Sequence, residues 1–155
     1  MNFSDIVTDL AQRAKIEDAQ RAIRVAHGTG ASRWVAEEAG ISARTARRWL
    51  GSSPPAARAA VISALAARLI VAAQVMRRST GTVNVGTVSV SYDEDDQGSR
   101  YIGEVEIDLD PIAGALEEQE EGYAGELFST AVMEAYQPGL SDVLDIDAYT
   151  DVRID

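Results

Sequence analysis

Apolar side chains recur at helical spacing through the first half of the chain. Between residues 4 and 26 these positions are Ile6, Leu10, Ala14, Ala19, Ala22, Ile23 and Ala26. They predict one or two helices, and Gly28 and Gly30 are expected to end the helical segment. A long alanine-rich helix is predicted from Ser53-Pro54-Pro55 to about Arg78, because proline suits the first turn and a broad apolar face follows it.

After Gly81 the apolar positions alternate, as they do in strands. The alternating residues are Val83, Val85, Val88, Val90 and Tyr92, then Val105, Ile107 and Leu109. They predict two strands joined by a polar loop over residues 93–100. The alternation shifts by one residue at Gly86, which predicts a bulge there.

The remainder of the chain predicts helix followed by strand. A helical tract begins at Pro111, continues to about Tyr136 and is closed by residues 137–139. Strict alternation then runs from Leu144 to Ile154, which predicts one closing strand. The whole pattern predicts an α+β protein, with a helical domain over residues 1–78 and a small acidic ββααβ domain over residues 79–155.

Charge divides at the same place. The net charge of −11 would argue against nucleic acid, because Lys and Arg supply most non-specific affinity for DNA. However, residues 1–78 hold 12 basic and 6 acidic residues, a net of +6, whereas residues 79–155 hold 2 basic and 19 acidic residues, a net of −17. This asymmetry indicates that the chain consists of a basic half and an acidic half with different functions.

The amino-acid composition argues against several classes of protein. The chain has no cysteine and a single histidine, His27, which excludes disulfides and thiolate sites and argues against a zinc site or a Ser-His-Asp triad. We expect no metal, no cofactor and no enzymatic activity. No uncharged apolar run reaches the roughly 18 to 20 residues of a membrane span, and the N-terminus lacks a signal-peptide pattern, so we expect a cytoplasmic protein that does not bind membranes.

Residues 32–50 have the spacing of a helix-turn-helix, with residues 43–50 as the recognition helix. We expect Ser32 to cap the first helix and Ser42 to cap the second. Gly40 allows a left-handed turn, Ala36 is small where the helices cross, and Ile41 fills the core at the turn. Inward positions of the second helix are Ala46, Trp49 and Leu50. Trp34 is likewise expected in the core.

The outward positions of this motif are polar and basic. We expect DNA contacts from Arg33, Ser42, Arg44, Thr45, Arg47 and Arg48. Arginine can donate two hydrogen bonds to guanine O6 and N7, and a threonine suits a base edge. Arg33, at the start of the first helix, suits phosphate contact. The alternative is an arginine-rich solvated face in an ordinary helical hairpin.

Over residues 22–155 the chain resembles the telomere terminal proteins of linear bacterial chromosomes and plasmids. Four stretches carry the resemblance, in order: the helix-turn-helix of residues 35–49, Ser-Thr-Gly-Thr-Val at 79–83, the helix at 126–136, and the strand Val-Leu-Asp-Ile-Asp-Ala-Tyr at 143–149. The resemblance implies a DNA-binding protein that caps chromosome ends. It also implies a primer hydroxyl that a separate polymerase joins to the 5′ nucleotide.

In that family the hydroxyl belongs to a threonine in the loop after the first strand, and Gly98-Ser99 stands at the matching place here. The resemblance therefore implies Ser99 as a nucleotide-attachment residue, since a serine hydroxyl can also attack an α-phosphate once metals activate it. The flanking residues 93–96 are acidic and would repel a triphosphate unless the polymerase's metals neutralised them.

Two functions follow from these patterns. The first is a protein of the terminal-protein type that acts in end capping or replication of a linear replicon. The second is a plasmid- or phage-type transcriptional regulator. In both we expect double-stranded DNA as a partner, a homodimer, and association with the nucleoid or a plasmid. The acidic half is a solvated sheet face, a dimerisation surface, or the docking surface for a DNA polymerase or telomere-associated protein.

Overall fold

The computed structural model describes residues 1–12, 14–51, 54–92, 96–136 and 143–155. Its helices are α1 (Phe3–Ala11), α2 (Ile16–His27), α3 (Ala31–Ala39), α4 (Ala43–Gly51), α5 (Ala56–Ile70), α6 (Asp110–Glu117) and α7 (Glu121–Ala135), and its strands are β1 (Thr82–Ser91), β2 (Gln97–Glu106), β3 (Asp145–Tyr149) and β4 (Arg153–Ile154). A 3-10 turn (Gly28–Gly30) precedes α3, and a π-helical segment (Val71–Met76) continues α5. The predicted helix start at Ser53, the loop residues 93–95 and the helix end at residues 137–139 lie outside the described residues.

The four strands form one antiparallel sheet around β1, so the prediction of an α+β protein is confirmed. Strand β2 pairs with one side of β1, while β3 and β4 pair with successive parts of its other side. The pairing of β1 with β2 is irregular at Gly86, which has a φ of 56° and lies opposite Gly103. The predicted bulge at Gly86 is therefore confirmed.

The predicted order ββααβ is not confirmed, because the C-terminal segment forms two strands. A register shift where β3 crosses Ser89 and Val90 of β1 changes which residues face inward. Tyr149, which falls between two of the alternating positions of the C-terminal segment, is buried as a result. Leu144, the first of the alternating apolar positions, is 65% exposed. The two helices of the predicted order are present, as α6 and α7.

Two hydrophobic clusters organise the molecule. One, here called the helical core, consists of Ala19, Ile23, Ala31, Val35, Ala46, Leu50, Ile62, Ala66, Leu69 and Ile70. The other, here called the sheet core, includes Val83, Val85, Val88 and Val90 of β1 with Ile112, Leu116, Phe128 and Val132 of the covering helices. Helix α5 contributes to the helical core, and its π-helical continuation contributes Val71, Ala72 and Met76 to the sheet core. One continuous helix therefore belongs to both clusters.

The clusters do not follow the boundary at residue 78. Ile6 and Val7 of α1 are buried in the sheet core, although α1 lies at the opposite end of the sequence from the closing strands. Helix α5 is also tied to the α6–α7 corner by polar contacts: Arg68 forms an ion pair with Glu121, and Arg77 beyond the π-helical segment pairs with Glu117 at 2.7 Å. The acidic half is thus built on elements of the basic half.

The helix Ala56–Met76 is long and apolar enough to cross a membrane by length and composition, and its most apolar stretch of 18 residues has a mean hydropathy of 1.9. Two arginines, Arg58 and Arg68, interrupt its apolar residues. Its buried residues belong to the two clusters, and Arg68 pairs with Glu121. These contacts are typical of a core helix in a globular fold.

Candidate nucleic-acid interface

The turn between α3 and α4 has the geometry that the sequence predicts. Gly40 is left-handed, with φ 67° and ψ 37°, and ends α3. The backbone N–H of Ile41 then donates to the carbonyl of Ala36 at 3.0 Å. Ile41 packs against the helical core as expected. The turn therefore sets the direction in which α4 leaves α3.

Ser42 caps α4, as predicted. Its Oγ accepts a hydrogen bond from the backbone N–H of Thr45 at 3.2 Å, and its hydroxyl donates to Thr45 Oγ1 at 2.9 Å. This satisfies one backbone donor at the first turn of the helix. Two of the residues expected to contact DNA thus hold each other at the start of α4.

Helix α4 presents two different faces. Ala46 and Leu50 are buried in the helical core, and Trp49 is half-buried against it, with the Arg58 guanidinium 6.0 Å from its ring centre. Arg44, Arg47 and Arg48 are exposed. The inward set matches the prediction, and the outward set leaves three cationic side chains on one surface helix.

The end of α4 is held by two side chains of α2. Gln20, which is only 7% exposed, donates from Nε2 to the carbonyl oxygen of Trp49 at 2.7 Å. Arg24 donates from Nη1 to the carbonyl oxygen of Leu50 at 2.8 Å. These bonds satisfy carbonyls that the last turn of a helix leaves without partners. Sequence reasoning missed both residues, because nothing local indicates which helix α2 packs against.

The start of α3 differs from the prediction. The helix begins at Ala31, directly after the 3-10 turn, and its N-cap is Gly30, without a side-chain cap. The expectation that Ser32 caps this helix is therefore wrong, since Ser32 already lies inside it. Arg33 is 84% exposed and pairs with Glu37 one turn later at 3.2 Å. Its charge remains on the surface but is partly balanced by that carboxylate.

His27 and Trp34 stack on each other at the back of the motif. Their ring centres are 4.3 Å apart and their planes differ by 17°. Within the described residues, His27 Nε2 and Trp49 Nε1 are buried without a hydrogen-bond partner. Burial lowers the pKa of His27, while the charge of Glu38 acts in the opposite direction. The neutral imidazole is therefore the form that this stack favours.

Ser99 lies away from this motif, on the sheet. It is the third residue of β2 and pairs with Ser89 of β1, so it belongs to a strand rather than to a loop. Its side chain is exposed. The neighbouring positions that share its exposed face include Thr87 and Tyr101, which pair across the same two strands.

In the described part of the chain, no group of three or more His, Cys, Asp or Glu side chains is arranged to hold a metal ion. No protein-family model, no curated protein and no solved structure matches this chain.

Proposed function

We propose that the protein binds double-stranded DNA, with α4 as the recognition helix in the major groove and α3 across the backbone. One observation carries the proposal: α4 is fixed at both ends while its outer face holds Arg44, Arg47 and Arg48. A recognition helix must hold its donors in a fixed position relative to the base edges. A displaced arginine cannot donate both hydrogen bonds to guanine O6 and N7.

Each side chain has a proposed role. Arg44 and Arg47 donate to guanine O6 and N7, while Arg48 and Arg33 contact phosphates. Thr45 and Ser42 reach the groove at the first turn of α4, where recognition helices contact base edges. The acidic half lies away from the phosphates, because a net charge of −17 over residues 79–155 is repelled by them.

The proposed role is that of a telomere terminal-protein type of DNA-binding protein, which acts in end capping or replication of a linear replicon and associates with the nucleoid or a plasmid in the cytoplasm. Ser99 would be the nucleotide-attachment residue, and its exposure supports that role. The acidic half would then dock the DNA polymerase or a telomere-associated protein.

A transcriptional regulator is the second candidate, and the position of Ser99 favours it. A priming hydroxyl must enter the active site of a polymerase, and a residue paired within a strand is harder to insert there than a residue in a loop. In the regulator, the acidic half serves for assembly alone.

In either role we propose a homodimer, since one recognition helix of about 12 Å offers few base contacts. Two copies related by a two-fold axis would read half-sites about 34 Å apart. The first turns of α5 carry an exposed small-residue stripe that suits close helix packing, made of Ala57, Ala60, Val61 and Ala64. The outer edges of the sheet are the other surface open to a second copy.

Two experiments test the proposal. In the first, the full-length protein selects binding sites from a random duplex pool. In the second, the DNA that co-purifies with the protein is sequenced with and without protease treatment. An enriched site, with two repeats about one helical turn apart, supports the proposal. DNA ends that stay bound to protein through denaturation, and no longer do so in Ser99→Ala, select the terminal-protein role. Absence of any enriched sequence would contradict specific binding.

A further inference from the structure

A groove of about 430 Å³ runs between α2 and the π-helical segment, where the basic half meets the acidic half. Small side chains create it: Ala22 and Ala26 on α2 face Ala73 across the gap, so the two elements do not fill the space between them. Leu69 and Val25 add apolar surface, and Val25 is 81% exposed. An exposed valine beside such a groove is surface that a ligand would cover.

The π-helical segment shapes one wall of the groove. The N–H of Arg77 donates to the carbonyl of Ala72, five residues earlier, at 3.0 Å, so the turn is wider than in an α-helix. Arg77 pairs with Glu117 through two hydrogen bonds of 2.7 and 3.1 Å. The next residue, Arg78, lines the groove. π-Helical turns are rare and are frequently found at functional sites.

Two cations line the groove without a partner. Arg21 of α2 and Arg78 are both exposed, and neither has an ion pair or hydrogen bond within the described residues. The nearby carboxylate of Glu117 is occupied, because the hydrogen bond from Arg77 lowers the pKa of Glu117 and keeps it ionised. The groove thus combines an apolar floor with two guanidinium groups that form no ion pair with the residues the structure describes.

We propose that this groove is a binding site for a small amphipathic anion, a carboxylate or sulfonate on an apolar body. The anionic group pairs with Arg21 and Arg78, and the apolar body lies along the alanines and Val25. The volume is in the range of about 300 to 1,000 Å³ that small-molecule sites occupy. Phosphate alone would leave the apolar floor unused, and a neutral apolar molecule would leave the two charges unpaired.

The experiment uses full-length protein and 8-anilinonaphthalene-1-sulfonate, an aromatic sulfonate whose fluorescence rises on binding. We expect saturable binding that octanoate displaces and octanol displaces far less. Arg21→Glu and Arg78→Glu should each weaken binding by about tenfold or more, since a charge-assisted contact becomes a repulsion. Ala26→Leu, which fills the groove, should weaken it as well. Arg47→Glu on α4 makes the same charge change elsewhere and should leave binding unchanged.

Circular dichroism establishes that each variant is folded, and Ala26→Leu keeps all the charges. Binding that survives both charge reversals, equal displacement by octanol and octanoate, or no saturable binding would each overturn the proposal. Sedimentation at the titration concentrations tests whether a second copy of this chain occupies the groove instead of a small anion. If probe binding falls as a dimer forms, the groove belongs to the dimer contact and the proposal is wrong. Displacement of the probe by random duplex DNA would assign the arginines to phosphate contact.

Discussion

At the scale of single residues, the proposed function depends on which arginines read bases and which hold phosphates. Arg44 and Arg47 are exposed on α4, whereas Arg33 lies on α3 and shares its charge with Glu37. We predict that Arg44→Ala or Arg47→Ala loses about 1 to 3 kcal/mol of discrimination between the selected site and random duplex. Arg33→Ala should weaken both by the same factor. Equal effects from all three substitutions would show that α4 is not the helix that reads the sequence.

His27 makes stability depend on pH. Burial lowers its pKa in the folded protein, while the unfolded chain keeps the ordinary value of about 6.5, so the unfolded chain binds the proton first on acidification. We predict that the free energy of unfolding decreases as the pH falls below about 6.5. Denaturant titrations at about pH 7.5 and about pH 5.5 measure it.

His27→Phe keeps an aromatic ring beside Trp34 but cannot titrate, and the chain has no other histidine. The variant should therefore lose most of the decrease between those two pH values. A decrease of the same size in the variant would mean that other groups cause it.

Most residues with a local role were predicted correctly, although the predicted cap at Ser32 was wrong because α3 begins one residue earlier. Gly40, Ser42 and Ala46 act within one turn of their own position, so spacing alone indicated the left-handed turn, the cap and the inward face. Gln20 and Arg24 contact carbonyls of another helix, and the stack of His27 on Trp34 joins two helices. Such contacts depend on how helices pack, which a local pattern does not contain.

Among the elements, the turn between α3 and α4 requires a left-handed residue, and the strain that any other residue would meet there can be measured. An alanine Cβ at Gly40 would have open space, so a substitution there meets only the strain of a φ of 67°. We predict that Gly40→Ala lowers the free energy of unfolding by about 1 to 2 kcal/mol. Gly51, the last residue of α4, also has open space but lacks the positive φ, so Gly51→Ala is the matched control. A control that destabilises as much as Gly40→Ala would exclude backbone strain as the cause.

Elements were predicted best where one pattern continued without interruption. Helix α4 ends at Gly51, one residue beyond the prediction, and β1 contains its bulge where the alternation shifts. The closing strand was predicted as one because Leu144 to Ile154 alternates throughout. Its division into β3 and β4 comes from the register of pairing with β1, which the alternation does not show. The π-helical segment was missed because alanine-rich sequence fits an α-helix equally well.

At the scale of the whole molecule, the long helix couples the two cores. Ile62 lies in the helical core and Ile112 in the sheet core, both fully buried. Since α5 and its continuation enter both, we predict one cooperative unfolding transition. Ile62→Val and Ile112→Val should each destabilise that same transition by about 0.5 to 1.5 kcal/mol. Two separate transitions in calorimetry, each affected by only one substitution, would show that the cores unfold independently.

The boundary at residue 78 came from the change of hydrophobic period together with charge, and the two cores do not follow it. Ile6 and Val7 lie near the N-terminus but are buried in the sheet core, and Val71, Ala72 and Met76 join them. The distribution of charged residues describes the surface of each half. The hydrophobic clusters depend instead on contacts between residues distant in sequence. Composition could therefore indicate two functions but could not indicate how the chain divides its cores.

If the outer face of α4 binds duplex DNA, the affinity must depend on salt concentration through the phosphates that its arginines contact. For the full-length protein, log affinity should fall linearly with log salt, with a slope of about −0.9 for each phosphate contacted. Arg44→Gln with Arg47→Gln should weaken binding to the selected site by about tenfold or more. Arg21→Gln with Arg78→Gln makes the same charge change at the groove and should leave affinity and slope close to those of the unmodified protein. Equal losses from the two pairs, or no salt-dependent binding to duplex DNA, would contradict the account.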